Sequence, residues 1–475
     1  MKNTRLLSAI TAMSLFLAVQ VSATTLFTDD FENRAIGGLD MNYVGGPNAA
    51  ENGTGNNVWF GPPNNPNGMV TDVDDGVTPH SGNHMVRGQF VAGADWDANR
   101  ANMAFRYNDG KAFTGNIQFD FWLYDKLGAG GSLMTDYAAI EYYSSTTVNL
   151  VDSDYPIGGT GSLSTKAGIA CGQRLSLGCY TQVDSVNGDY LTNLNYYQAR
   201  IVGTNATGTG DCTCIGTSGW WNLTTAPRTV GWHHFRIAVG PALANMTNVV
   251  CFFVDDMTNP ALVHNSTTSC GYNFINLNEK TGAQTGYYDD ISFSKIDSKT
   301  NTGNVGDLVS VDNAIVTVIG NCLPTDTMYV ESADRTNAMR IHYSGLSALN
   351  LVSGSKITTM GTVKVTDSGE KYIEAYGPES VGSASVPEAV GMNNRDAAFT
   401  TASGMFIKTW GKVSNVTSNS FTITDGSNAP IKVLCGSMDK PADGSMVYLS
   451  GAMSKDESGP VLYMRDVRSD WNNAE

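Results

Sequence analysis

The chain has 475 residues, with 45 Asp and Glu against 29 Lys and Arg, and so carries a net charge of −16. Nucleic-acid binding draws affinity from basic residues that displace counterions, so this balance argues against a nucleic-acid partner. The length exceeds what one hydrophobic core usually organises, and two or more domains are expected.

The first residues carry Lys2 and Arg5, then an apolar run from Leu6 to Val21, then Val21-Ser22-Ala23. This is the layout of a secretory signal peptide over residues 1–23, with cleavage expected after Ala23 and a secreted or cell-surface destination. The strongly apolar part is shorter than the roughly 20 residues that span a bilayer, so no membrane span is expected after cleavage. No Cys follows the cleavage point, and the stretch from Asp466 to Glu475 is polar, so neither a lipid anchor nor an apolar tail is expected. An oxidising compartment suits the eight cysteines, for which disulfide bonds are expected. Cys212 and Cys214 are expected to reach Cys171 or Cys179, and Cys251 with Cys270 to staple a hairpin, the full connectivity staying open. The remaining two are Cys322 and Cys435, and no C-x-x-C knuckle points to zinc.

Low charge and abundant Gly, Asn, Ser and Thr favour short strands joined by tight turns, so the fold class is all-β. A large domain is expected over 24–297, with strands at Gly115–Leu123, Asn195–Val202, Trp232–Val239, Val249–Val254 and Asp290–Phe293. Long Gly- and Asn-rich connections, Gly45–Asn67 and Asp152–Asp189, suit the ends of a sheet sandwich. Residues 298–306 read as a linker, and the pattern then repeats itself. Ala314–Gly320 lines up with Met405–Gly411, Tyr329–Ser332 with Phe421–Thr424, and Gly354–Gly361 with Gly444–Gly451, at offsets of 90 to 92 residues. Two small units are therefore expected, at 307–400 and 401–475, each with about five strands in the manner of a Greek-key barrel.

Leu26–Asn33, Gly76–Gly82, Gly231-Trp-His-His-Phe235, Phe252-Phe-Val-Asp-Asp256 and Tyr287–Phe293 together resemble the concanavalin A-like or laminin-G-like jelly rolls of secreted bacterial proteins. The resemblance implies a jelly-roll β-sandwich over about 24–296. Tyr329–Arg335, the Gly-Ser-x-(Ile/Val) strand openings and Met392–Arg395 ahead of Phe406–Gly411 resemble tandem OB-like barrels, over about 305–469. That likeness implies an architecture and no activity.

Asp29, Asp30 and Glu32 open the first strand, and Asp289 and Asp290 the last strand of the sandwich. First and last strands commonly lie close together, so Asp30, Glu32 and Asp290 could contribute to a structural calcium shell, or could simply cap strands and face water. Asp72, Asp74 and Asp75 lack the twelfth-position Glu of an EF-hand and read as a turn. Exposed aromatic rings hold sugars by covering the apolar face of a pyranose, and Trp59, Phe60, Trp220 and Trp221 stand in loop-like contexts. Trp122, Trp232 and Trp410 fall within strand patterns and read as core. No Glu-x-Asp-x-x-Glu strand, Gly-x-Ser-x-Gly elbow or His-Glu-x-x-His helix is present. His233 and His234 point to opposite faces of one strand. The reading that follows is a secreted, non-catalytic binding protein for an extracellular glycan or cell-surface polymer. The alternatives are a structural or adhesive protein binding other proteins, or a carbohydrate-active enzyme whose carboxylates converge only in three dimensions.

Overall fold

The computed structural model describes residues 24–39, 58–60, 68–88, 100–104, 113, 115–130, 136–143, 171–180, 193–204, 212–214, 220–243, 247–268, 271–272, 274–279, 285–298, 303–320, 322–399 and 402–468. The signal-peptide stretch, 1–23, lies outside them. The chain is all-β, a two-sheet sandwich followed by two small closed barrels.

Among the described residues the larger sheet has nine strands and centres on Ile117–Asp125, which pairs antiparallel with Gly231–Ala242 on one side and Tyr287–Lys295 on the other. Successive side chains of a strand face opposite ways. Phe119, Phe121 and Leu123 therefore point inward, where they meet Phe235, Phe252 and Phe293. The eight-stranded second sheet closes the core with Ile140, Leu175, Leu177, Ile201 and Ile275. Phe121 stacks on Phe235 at 5.2 Å, and Tyr197 meets Phe235 edge-on at 5.0 Å. The first strand, Thr25–Asp29, pairs with the last, Tyr287–Lys295, as an antiparallel sandwich suggests.

One end of the sandwich is tied by a buried ion pair. Arg228 donates through Nε to Asp125 Oδ2 at 2.8 Å and through Nη2 to Oδ1 at 2.9 Å, with side chains 1% and 0% exposed. Its Nη1 also donates to the Leu194 carbonyl, and the Leu127 and Gly128 amides donate to Asp125. Burial acts to raise the Asp125 carboxyl, but the guanidinium and these amides hold it below its ordinary value.

The first barrel orders its strands Leu308–Ile319, Thr327–Glu331, Ala338–His342, Lys371–Ser383, Ser355–Val365 and closes on itself. The second repeats that order with Phe406–Ser414, Ser420–Thr424, Ile431–Leu434, Gly459–Arg468 and Met446–Asp456, closed by pairing its first strand with Met446–Asp456. In both, the third and fifth strands in chain order run parallel. Gly361 and Gly451, matched in the sequence repeat, share one role: a Cβ on either would collide with the backbone of the neighbouring strand, at Glu374 and Tyr463. The second unit begins ahead of residue 401, because Val390–Gly391 pairs with Phe406–Ser414 and Asn394 of the short helix Asn394–Ala397 bonds Thr409. Carboxylates of the first barrel join the two: Glu331 accepts from the Phe406 amide at 2.5 Å, and Glu370 from Ser454 Oγ at 2.8 Å.

The first barrel also seats on the larger sheet. Ala238, Val249, Cys251 and Phe253 face outward and pack against Leu308, Met360 and Tyr376, and Tyr376 Oη donates to the Thr258 carbonyl at 2.8 Å. This contact corrects the expected staple. Cys251 is a free thiol sealed under the barrel, Cys179 is free in the sandwich core, and Cys322 and Cys435 are free in the barrels. Cys322 Sγ donates to the Met464 carbonyl at 3.2 Å, and the side chains of Cys171, Cys212, Cys214 and Cys270 lie outside the described residues.

Removing one member of a buried pair leaves an uncompensated charge, at a cost of about 3–5 kcal/mol. Arg228→Met should therefore lower the urea midpoint of the sandwich sharply while leaving far-ultraviolet dichroism of the folded state unchanged.

Candidate functional site

The barrel covers only part of the larger sheet's outer face. The remainder carries the outward residues of the central strand, Asp120, Trp122 and Tyr124, and their register partners Arg236, His234 and Trp232. Strand period alone puts these six on one surface.

Trp122 lies between two imidazoles. His234 is parallel to it within 9° at 5.0 Å, and His80 within 16° at 3.6 Å. His234 Nε2 is 2.9 Å from Asp120 Oδ1, and Arg236 Nε donates to the same oxygen at 2.7 Å. His80 Nδ1 is 2.6 Å from Asp290 Oδ2. Trp232 meets His80 and Tyr124 edge-on at 6.0 and 5.5 Å, and its indole donates to the Thr78 carbonyl at 2.9 Å. The surface is a row of half-exposed rings with a carboxylate near each imidazole.

His80 belongs to a loop held by the acidic residues of the first and last strands. Asp289 Oδ2 accepts the His80 and Ser81 amides at 2.9 and 3.2 Å, and Asp290 Oδ1 accepts from Ser81 Oγ at 2.8 Å. Adjacent strand residues normally face opposite ways, and here a register shift after Asp289, with Asp290 at φ 45°, lets both carboxylates address one loop. Glu32 accepts the Asn83 and His84 amides, each at 2.7 Å. Gly82, at φ 58°, suits the left-handed backbone, and a Cβ there would displace the Glu32 carboxyl from the loop.

The expected convergence of acidic residues from the two chain ends therefore occurs, and their partner is a loop. Glu32 and Asp290 grip N–H and O–H donors, while Asp30 is exposed and accepts from the Glu32 amide at 3.2 Å. Calcium requires six to eight oxygens free to turn toward it. Glu32 and Asp290 spend oxygens on the loop's donors, and among the described residues no group of three His, Cys, Asp or Glu side chains that could hold a metal is present.

The aromatic expectations resolve differently. Trp59 is in strand Val58–Phe60, 2% exposed, with Nε1 donating to Asp29 Oδ2 at 2.7 Å. It is a core residue in place of a loop platform. Phe60 ends that strand, and its side chain lies outside the described residues. Trp220 is also buried, stacked on Tyr180 at 4.3 Å. Trp221 is half-buried against the core and His264. Trp122 and Trp232 are the half-exposed indoles of the outer face, because the register that sends Phe119 and Phe121 inward sends Trp122 outward. That signal was present in the alternation of Ile117–Asp125. The position of His80 was not, since it depends on a loop more than two hundred residues from Asp290 in sequence.

His233 and His234 do face opposite ways, His233 bonding Asp255 Oδ2 at 2.7 Å and lying against Tyr197. Ser81 and His80 share the Asp290 carboxylate, so they do not form a serine–imidazole–carboxylate relay.

No family model matches the chain, and no curated protein matches it in sequence. Solved structures with a similar β-rich arrangement include the botulinum neurotoxin serotype G binding domain, at 8% identity over 88% of this chain and 78% of that one, TM-score 0.27. A cellulose induced protein, Cip1, aligns at 11% identity over 56% and 96%, TM-score 0.28. A legume lectin-like domain from Entamoeba histolytica aligns at 9% over 52% and 93%, TM-score 0.27. Overlap of this degree carries no functional information.

Burial pushes the Asp289 carboxyl up to about 7, against the amides that lower it. A carboxyl whose folded value lies above its unfolded one gives stability that is full below about pH 4 and lost as pH rises through about 7. Asp289→Asn should flatten that slope, seen as a melting temperature that changes less between pH 4.5 and 8 than in the parent.

Proposed function

We propose that this is an exported, non-catalytic protein that binds an extracellular glycan or cell-surface polymer on the open part of the larger sheet. Trp232 and Tyr124 supply ring surface for a sugar, and Asp120, His234 and Arg236 supply hydrogen-bond partners for its hydroxyls. Sites for small polar ligands combine aromatic lining with a few fixed polar groups, and this is the combination on the outer face. The observation that carries the reading is the half-exposed Trp122 and Trp232 on that face, flanked by carboxylates and imidazoles already held in place. A preset arrangement of this kind lowers the ordering cost of binding. Calcium has no part in this reading, since Glu32 and Asp290 hold the loop.

One ring contact is worth on the order of 1.4 kcal/mol, or about tenfold in affinity. On a glycan array, Trp232→Ala and Tyr124→Ala should each lower retention by about that factor with the far-ultraviolet dichroism of the folded state preserved, and a chelator should leave it unchanged. Unaltered retention in both variants, or capture of a protein partner with no glycan signal, would overturn the proposal.

A further inference from the structure

The two barrels face each other across a cavity with no residue of the sandwich in its lining. Its volume is about 700 Å³, within the size range of sites for drug-sized ligands. Its walls come from Ala338–His342 and the start of Lys371–Ser383 in the first barrel, and from Met446–Asp456 and the approach to Phe406–Ser414 in the second.

The cavity is rigidly framed. Glu370, 2% exposed, accepts from Tyr329 Oη at 2.9 Å, Arg340 Nη1 at 3.0 Å and Ser454 Oγ at 2.8 Å. The Gly404 amide donates to the Met453 carbonyl at 2.7 Å, and a Cβ on Gly404 would strike the Ala338 backbone. Both barrels are thus pinned at its edge.

The charges around it are unequal. Arg340, Lys371 and Lys455 line the cavity with Glu370 and Asp456. Both carboxylates are answered inside the protein, Glu370 by the three donors above and Asp456 by Lys432 at 2.8 Å. Lys371 donates to the Gly303 carbonyl at 2.7 Å, and among the described residues neither it nor Lys455 meets a carboxylate. In a chain of net charge −16 this is a local excess of cations. Between them stand Tyr372, with the Arg340 guanidinium 5.8 Å from its ring centre, and Phe399, 57% exposed.

We propose that the cavity between the barrels binds an acidic oligosaccharide, its carboxylates toward Lys371 and Lys455 and its sugar faces on Tyr372 and Phe399. A neutral sugar leaves the cations unmet, and a small inorganic anion leaves the rings and most of the volume unused.

The test is calorimetric titration of the full mature chain with trigalacturonate, and with maltotriose as the neutral trisaccharide. One trigalacturonate site is expected, weakening as salt rises from 50 to 500 mM, with maltotriose at least tenfold weaker. Lys455→Glu should lower trigalacturonate affinity at least tenfold at an unchanged melting temperature. Trp232→Ala should leave it unaltered, which separates this site from the sheet face. Equal binding of both trisaccharides, no binding of trigalacturonate at millimolar concentration, or an indifferent Lys455→Glu variant would overturn the proposal.

Discussion

The two-residue alternation of the central strand, Ile117–Asp125, is the constraint on which the sandwich and its outer face both depend. Inward, Phe119, Phe121 and Leu123 meet the second sheet across a stacked aromatic core. Outward, the same backbone delivers Asp120, Trp122 and Tyr124 to a surface shared with His234 and Arg236. A slip of one residue would exchange these sets, placing a carboxylate and two amphipathic rings in the core and phenylalanines in water. Burial energy on one side therefore fixes the chemistry displayed on the other.

The acidic ends of the chain show a second way in which stability and display are joined. Asp289, Asp290 and Glu32 meet at one place, where Asp289 and Glu32 accept backbone amides of the loop and Asp290 accepts from Ser81 Oγ. That loop in turn lays His80 over Trp122. Asp289 and Glu32 thus act on the aromatic surface through the loop, while Asp290 also bonds the His80 ring directly.

Much of this was legible in the sequence, and the limits have physical causes. Strand positions followed from period-two patterns, and the duplication from turn residues at fixed offset, because Gly361 and Gly451 answer one steric demand. Convergence of the first and last strands was also readable, since sandwich topology brings chain ends together. The partner of those carboxylates was not, because amide donors leave no side-chain signature. Trp59 and Trp220 misled because a Gly- and Pro-rich context marks a turn nearby without saying which way the ring points. Trp59 is held inward by Asp29, which accepts a hydrogen bond from its indole N–H. The barrel covering Cys251 is likewise a long-range fact, invisible in the spacing of cysteines.

The two carboxylates that link the barrels have a consequence for how this half of the molecule comes apart. Glu331 and Glu370 belong to one copy, yet each is buried against a donor from the other, the Phe406 amide and the Ser454 hydroxyl. Prising the copies apart would exchange these buried bonds for bonds to water and expose the apolar contact between Tyr329, Phe406 and Tyr463. The two copies are therefore joined by buried polar bonds as well as by the apolar packing of Tyr329, Phe406 and Tyr463.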